Sequence, residues 1–249
     1  MGALELAGIA AWSFAVAVIG GVVSLVLGNL RLPIFLLAAS SPAAAGAANI
    51  AVSGISAATA STTHIRAGRI NWRLFGWMAP PSVAGALIGG YLAGVVSDTA
   101  VLLAIGAVLV YSGFDLLVRS GTAVRTRERP QVFPAIVSGA VIGLLGGFVG
   151  LILGSLRMPA LLRLVGEVPS KAVGTNLAVG VLVGAAGLAG HLPSAAPDYR
   201  LILVGGGASI PGALLGARLT GRLSERALVQ AIGAVLVVAG TAAGVQALV

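Results

Sequence analysis

Two arginines are the residues best placed to do chemistry, because they occupy the same position in a sequence element that occurs twice. Residues 27–33 read LGNLRLP and residues 153–159 read LGSLRMP, so Arg31 corresponds to Arg157. A guanidinium group presents a fork of N–H donors that suits planar or tetrahedral oxyanions. The repeated arginines therefore predict that both face one central cavity and bind a small anion there, with ordinary flanking charges at a membrane surface as the alternative.

Glycine and proline accompany each arginine, namely Gly28 with Pro33 and Gly154 with Pro159. Glycine loosens a helix, and proline cannot continue one without losing a hydrogen bond. This pattern predicts that the chain breaks near each glycine and turns back as a re-entrant hairpin. Helices beginning at the two prolines would add N–H donors and the positive end of a helix dipole to an anion site.

Three uncharged polar residues lie further along the two units and are further candidates for binding the substrate. Asn49 and Asn176 correspond to each other, and Thr175 precedes the second of them. The asparagines begin apolar stretches, so they are interpreted equally well as helix caps or as hydrogen-bond donors to a cavity.

Three titratable residues are candidates for proton coupling. His64 and His191 are the only histidines and correspond between the units, and histidine titrates near neutral pH. The interpretation favoured for them is a polar residue that ends a helix at the membrane surface. Asp115 is the one acid clearly inside an apolar stretch; as a proton relay it is a weak candidate, and pairing with a nearby arginine such as Arg119 is the alternative.

The composition identifies the solvent in which these residues must be positioned. Hydrophobic residues make up 58% of the 249 residues, charged residues only 9%, and the mean hydropathy is +1.05. So few charges cannot cover a globule of this size in water, which indicates an integral membrane protein. The net charge of +8 does not indicate nucleic-acid binding, because the basic residues lie mostly in short segments between apolar stretches.

Eight apolar stretches are long enough to cross a bilayer, which takes about 20 residues each. They cover residues 6–28, 42–64, 74–96, 100–118, 132–154, 169–191, 200–221 and 226–248. Two further apolar pieces, 33–39 and 159–165, are too short to cross. The predicted fold is therefore an all-α integral membrane protein with eight transmembrane helices and broken or re-entrant segments.

The eight stretches form two tandem four-span repeats. The sequence matches run at an offset of 126 near Arg31 and of 127 from Asn49 onward. The predicted domains are residues 1–118, a basic connector at 119–131, and residues 132–249. Four spans per unit would give both units the same orientation, whereas an odd number would invert the second. The repeated patterns Gly85-x-x-x-Gly89 and Gly212-x-x-x-Gly216 predict close helix packing.

The orientation follows from the arginines and lysine in the loops. On the eight-span prediction, eight basic residues lie on the side of the N-terminus and seven on the other, or five once Arg31 and Arg157 are set aside as cavity residues. The positive-inside rule then predicts that both termini are cytoplasmic.

At these residues the chain resembles the sulfite exporter TauE/SafE family of bacterial membrane proteins, over nearly its whole length. The family pattern has a glycine-rich break, a proline, and A-x-G-T-[SN] opening the next span. The second unit is similar to it at Gly154, Pro159 and residues 172–176 (AVGTN), and the first at Gly28, Pro33 and residues 47–49. Residues 64–73 (HIRAGRINWR) also look like the family, although the break has fewer glycines and carries an arginine instead of an apolar residue.

The resemblance implies an exporter of sulfite or of an organosulfur anion such as a sulfonate, in the bacterial inner membrane. Without an ATP-binding motif, we expect secondary transport. The expected partners are the small anionic substrate and the lipid bilayer, a second copy of the chain is a further candidate, and we expect no nucleic acid, cofactor or metal. An intramembrane enzyme and a membrane receptor or assembly subunit without transport of its own are the alternatives.

Overall fold

The computed structural model of the protein describes residues 2–25, 27–92, 98–118, 130–149, 154–191 and 197–248, and all regular secondary structure in these ranges is helical. The helices are α1 (Ala3–Val23), α2 (Gly28–Ala38), α3 (Pro42–Arg66), α4 (Trp72–Tyr91), α5 (Asp98–Val118), α6 (Val132–Val149), α7 (Gly154–Pro159), α8 (Pro169–His191), α9 (Tyr199–Leu201), α10 (Gly207–Thr220) and α11 (Glu225–Gln246). One π-helical segment (Ala160–Val165) continues α7, and another (Ile202–Gly206) joins α9 to α10.

The long apolar helices confirm an all-helical multi-pass membrane protein. Within the described ranges, four helical stretches are long and apolar enough to cross a membrane: Ala3–Val23, Pro169–Ala189, Tyr199–Thr220 and Glu225–Gln246. A helix suits this environment because it satisfies its backbone hydrogen bonds internally. The count of eight crossings stays a prediction, as do the domain boundaries; residues 119–129 of the connector lie outside the described part.

The first unit contains a helical hairpin at the predicted break. α1 ends at Val23, and Ser24 then adopts a left-handed backbone conformation with φ of 59°. The chain returns through α2 alongside α1, because the Trp12 indole N–H donates to the Leu30 carbonyl (2.9 Å). A cavity near the start of α1 is lined by both Glu5 and Leu37, so α2 ends on the face where α1 begins.

The prolines do not begin the new helices, so that prediction is wrong. α2 starts at Gly28 and α7 at Gly154, whereas Pro33 lies inside α2 and Pro159 closes α7. A proline inside a helix leaves the carbonyl four residues earlier without its N–H donor. For Pro33 that carbonyl belongs to Asn29, and it accepts a hydrogen bond from the Gln246 side chain instead (2.9 Å).

The two units run in opposite directions across the molecule, which corrects the predicted parallel orientation. The corresponding helices α3 and α8 are antiparallel: His64 near the end of α3 lies against Gly174 near the start of α8. Further along, Ala57 and Ala60 of α3 border the same small cavity as Leu177 of α8. Helices related by an axis along the membrane normal would instead run parallel.

The reason for this inversion is the short returning helix in each unit. α2 has 11 residues and is therefore roughly 16 Å long, too short to cross alone. Preceded by the non-helical residues around Ser24, it nevertheless carries the chain back to the face where α1 began. Counted in addition to the four predicted stretches of its unit, this return makes the number of passes odd, so the second unit starts from the opposite face.

Each unit packs its first long helix against the third long helix of the other unit, with the short α2 and α7 left out of this count. α1 lies on α10 and α4 on α6, while α3 pairs with α8 and α5 with α11. Glycines allow these contacts: a Cβ on Gly85 would overlap the Ala140 carbonyl oxygen, and one on Gly212 would lie 2.6 Å from the Phe14 oxygen. The predicted role of the Gly-x-x-x-Gly patterns in close helix packing is confirmed at these positions.

Candidate functional site

Arg31 is buried between α2, α3 and α10, with 2% of its surface exposed. Each of its three guanidinium nitrogens donates to a neutral oxygen: Nε to Asn49 Oδ1 (3.1 Å), Nη2 to Ser53 Oγ (2.6 Å) and Nη1 to Ser209 Oγ (3.4 Å). The guanidinium carbon also lies 5.7 Å from the centre of the Phe35 ring, a cation–π contact.

Arg157 is also completely buried, but it has fewer partners. Its Nη1 donates to Asn176 Oδ1 (3.1 Å). Its Nε and Nη2 atoms have no hydrogen-bond partner in the part of the chain that the structure describes. The two arginines therefore share the same asparagine contact and differ in the rest of their surroundings.

The two asparagines hold the arginines against the starts of the short helices. Asn49 Nδ2 donates to the Gly28 carbonyl (3.0 Å), and Asn176 Nδ2 donates to the Gly154 carbonyl (2.9 Å). Asn176 Nδ2 also reaches the Ser24 carbonyl at the break in the first unit (2.8 Å). Both asparagines lie inside their helices, so the alternative of helix caps is wrong.

Gly28 is required at the start of α2 by this asparagine contact. A Cβ there would lie 3.0 Å from Asn49 Nδ2 and 3.1 Å from Ser53 Oγ, closer than nearly all real Cβ contacts. The backbone of α2 thus approaches α3 closely enough for a carbonyl–amide hydrogen bond only because residue 28 has no side chain.

The site is electrostatically unbalanced. Neither arginine has a carboxylate partner among the described residues. The close ion pair seen there joins Asp115 to Arg163 instead (2.7 Å). Burying a cation without a counter-charge is costly, and neutral oxygens repay only part of that cost. An anion beside either arginine would therefore gain from an uncompensated positive charge.

Little space is open beside Arg31 in this conformation. The cavity that it lines, with Ser53 and the glycines of α1, holds about 10 Å³, roughly room for one water molecule. A larger cavity of about 880 Å³ lies between α5, α6 and α7, but its walls are mostly apolar and include neither arginine. Among the described residues, Arg31 therefore has no room for an anion in this conformation, and binding beside it requires the helices to move.

The remaining predicted site residues lie elsewhere. Thr175 accepts a hydrogen bond from the Asn71 backbone N–H (2.9 Å). Asp115 pairs with Arg163 (2.7 Å), and Arg119, the partner considered from the sequence, lies outside the described residues. His64, in the last turn of α3, is completely buried beside Gly174. His191 ends α8, and its side chain lies outside the described part. No polar contact joins Pro33 or Pro159 to either arginine.

Sequence reasoning assigned no role to three polar residues that form buried contacts in the structure. Ser53 and Ser209 hold Arg31, and the buried Glu167 accepts hydrogen bonds from Asn71 Nδ2 and from the Val168 N–H (2.9 Å). Ser209 corresponds to Ser82 at the offset of 127, a signal that was available. Glu167 has no acidic counterpart in the first unit, so the repeat gave no indication of it.

Comparison with known proteins gives a consistent result. The family model described as sulfite exporter TauE/SafE matches residues 9–243. The chain is similar to the probable membrane transporter protein YjnA of Bacillus subtilis (strain 168), with 27% identity over 229 residues that cover 85% of this chain and 89% of that protein. The family match spans the two arginine clusters and all the helices that form them.

Proposed function

The chain belongs to the sulfite exporter TauE/SafE family of membrane transporters, and from that membership we propose that it exports sulfite or an organosulfur anion such as a sulfonate by secondary transport. The observation that carries this proposal is the pair of buried arginines at corresponding positions, each held by neutral oxygens alone among the described residues. An anion is the ligand that such a site stabilises most, because it supplies the missing negative charge.

The arrangement of the helices supports transport over catalysis. Many secondary transporters contain two repeated units that run in opposite directions. Their substrate sites lie at broken helices near the middle of the membrane and are exposed to each face in turn. Ser209 of the second unit holds Arg31 of the first, and Asn176 of the second holds the break at Ser24. Movement of one unit against the other would change both contacts together.

We also propose an orientation, because it decides which face releases the substrate. The end of α3 and the ends of α1 and α10 meet on one face, where Arg69 Nη2 donates to the Ala217 carbonyl (3.0 Å). Eight described basic residues belong to this face: Arg66, Arg69, Arg73, Arg163, Lys171, Arg218, Arg222 and Arg226. The opposite face has Arg200. The positive-inside rule therefore makes the basic face cytoplasmic and both termini extracytoplasmic, the reverse of the orientation expected from eight spans.

Flux through proteoliposomes tests the transport proposal. We expect purified protein to release trapped sulfite down its gradient, anaerobically at pH 8, faster than protein-free liposomes. The variant Arg31→Gln/Arg157→Gln should abolish the flux, while Arg222→Gln, an exposed arginine, should leave it unchanged. Chemical conversion of the substrate without flux would favour an intramembrane enzyme, and binding without flux would favour a receptor; either result contradicts the proposal.

A further inference from the structure

The two arginine sites are unequal, and the difference lies on one edge of the guanidinium group. In Arg31, Nε and Nη2 are occupied by Asn49 and Ser53. In Arg157, the same two atoms are buried and have no partner among the described residues, and only Nη1 is held, by Asn176. The N–H groups of Nε and Nη2 point the same way, and they form the fork that binds two oxygens of one anion.

The sequence explains why the repeat does not make the sites alike. At the offset of 127, Ser53 corresponds to Gly180, which has no hydroxyl group to offer Arg157. Ser209 corresponds to Ser82, whose hydroxyl donates to the Met78 carbonyl of its own helix (2.7 Å). Arg31 thus has two serine acceptors, Ser53 of its own unit and Ser209 of the other, and the described residues supply no such acceptors to Arg157.

We propose that the anion binds on the Nε/Nη2 edge of Arg157, whereas Arg31 contributes a fixed positive charge and positions α2, α3 and α10. This inference rests on the proposed anion transport and narrows its ligand class. A fork of two parallel donors selects anions with two oxygens on one atom, such as sulfite or a sulfonate, over a spherical halide. Buried donors without partners also reject ligands that lack the second acceptor.

Competition binding tests the ligand class on the unmodified protein. The probe is radiolabelled sulfite, bound to detergent-solubilised protein under anaerobic conditions at pH 8. We expect methanesulfonate to displace it, and chloride to displace it at least about a hundred times less effectively. If chloride displaced sulfite at concentrations similar to those needed for methanesulfonate, the proposed two-oxygen binding by Arg157 would be wrong.

Single substitutions test the inequality of the arginines. Arg157→Lys keeps the charge and loses the fork, so sulfite affinity should fall at least tenfold. Ser53→Ala removes a partner of Arg31 only, and affinity should change less than threefold; Arg31→Lys should also cost less than Arg157→Lys. If the parent binds sulfite and both arginine substitutions lower sulfite affinity equally, this inference is wrong and the proposed transport is unaffected. A parent that binds neither sulfite nor methanesulfonate would overturn both.

The reciprocal substitution keeps the test decisive if Arg157→Lys does not fold. Gly180→Ser places a hydroxyl group at the position that corresponds to Ser53, so it should satisfy Arg157 internally and weaken sulfite binding at least threefold. Unchanged or tighter binding in folded Gly180→Ser protein would overturn the proposal, because the edge of Arg157 would then be irrelevant to the ligand.

Discussion

At the scale of the residue, the buried Glu167 forms a contact between the units that is separate from the arginines. Its carboxylate accepts from the side-chain amide of Asn71, whose own Oδ1 accepts from the Leu74 N–H at the start of α4 (3.1 Å). The Asn71 backbone N–H donates to Thr175, the residue next to Asn176. A polar chain therefore joins the end of α3 to the helix that holds Arg157.

A reversal of this hydrogen bond provides the first test. Glu167→Gln leaves one accepting oxygen for two donors, so its NH₂ group must oppose either Asn71 Nδ2 or the Val168 N–H, and the protein should lose about 1–3 kcal/mol of stability. Adding Asn71→Asp restores a donor–acceptor pair, and an aspartate still caps α4 well. We expect the double variant to recover at least half of the lost stability.

Thermal unfolding in detergent, compared across the parent, the two single variants and the double variant, measures this coupling. Glu5→Gln, at an exposed acid in the first turn of α1, serves as the control for loss of one negative charge. Additive losses in the double variant would show that Glu167 and Asn71 do not interact.

The residues of the site were predictable only as far as the repeat is exact. Arg31 and Arg157 were identified because both units carry them, and so were their asparagines. The unequal surroundings were not predictable, because the serines that hold Arg31 come from α3 and α10, which are distant in sequence. The proton-coupling role considered for His64, His191 and Asp115 stays a prediction.

At the scale of the element, the contact of α1 with α10 depends on residues that lack a side chain. A methyl group on Gly216 would overlap the Val18 carbonyl oxygen and lie 3.0 Å from the Gly21 Cα. The two helices therefore approach until their backbones touch, as small residues permit in membranes. Close contact here also brings Ser209 of α10 within reach of Arg31.

Alanine substitution within α10 tests this contact. Gly216→Ala should separate the helices and cost on the order of 1–3 kcal/mol, because the backbone of α1 cannot yield as a flexible side chain would. Gly207→Ala is the matched control in the same helix, since no atom lies within 4 Å of its Cβ position. Alanine also favours the helix, so Gly207→Ala should leave stability unchanged or raise it slightly.

Both the thermal midpoint and sulfite affinity should be measured for these two variants. We expect Gly216→Ala to lower the midpoint but to change sulfite affinity less than threefold, because Ser209 holds Arg31 and not the proposed ligand edge of Arg157. Equal midpoints for Gly216→Ala and Gly207→Ala would mean that α1 and α10 do not depend on direct backbone contact.

The elements show where hydropathy stops being informative. It identified every long helix, because a crossing helix must be apolar along about 20 residues. Hydropathy could not place α2 and α7, because a segment of 11 residues or fewer has the same hydropathy whether it returns through the membrane or lies at the membrane surface. The prediction that Pro33 begins a helix failed for a related reason. Pro33 fits inside α2 because Gln246 donates to the Asn29 carbonyl, and these two residues are 217 positions apart in the sequence.

At the scale of the whole molecule, the direction of the second unit decides the orientation in the membrane. With four passes per unit, the basic residues divide almost evenly and carry little information. With the direction observed, Arg69 and Arg73 lie on the same face as Arg218 and Arg222, and the bias among described residues becomes eight to one. A bias of that size is a strong topological signal.

Reporter fusions test the orientation directly. Alkaline phosphatase, which is active only outside the cytoplasm, should be active when fused after Val249 and inactive when fused after Ser224, at the basic face. Green fluorescent protein, which fluoresces when folded in the cytoplasm, should give the opposite pattern at the same two sites. Immunoblots must show equal amounts of each fusion. α11 joins these two sites across the molecule. Phosphatase activity at Ser224 together with fluorescence at Val249 would therefore show that the proposed orientation is wrong and that both termini are cytoplasmic.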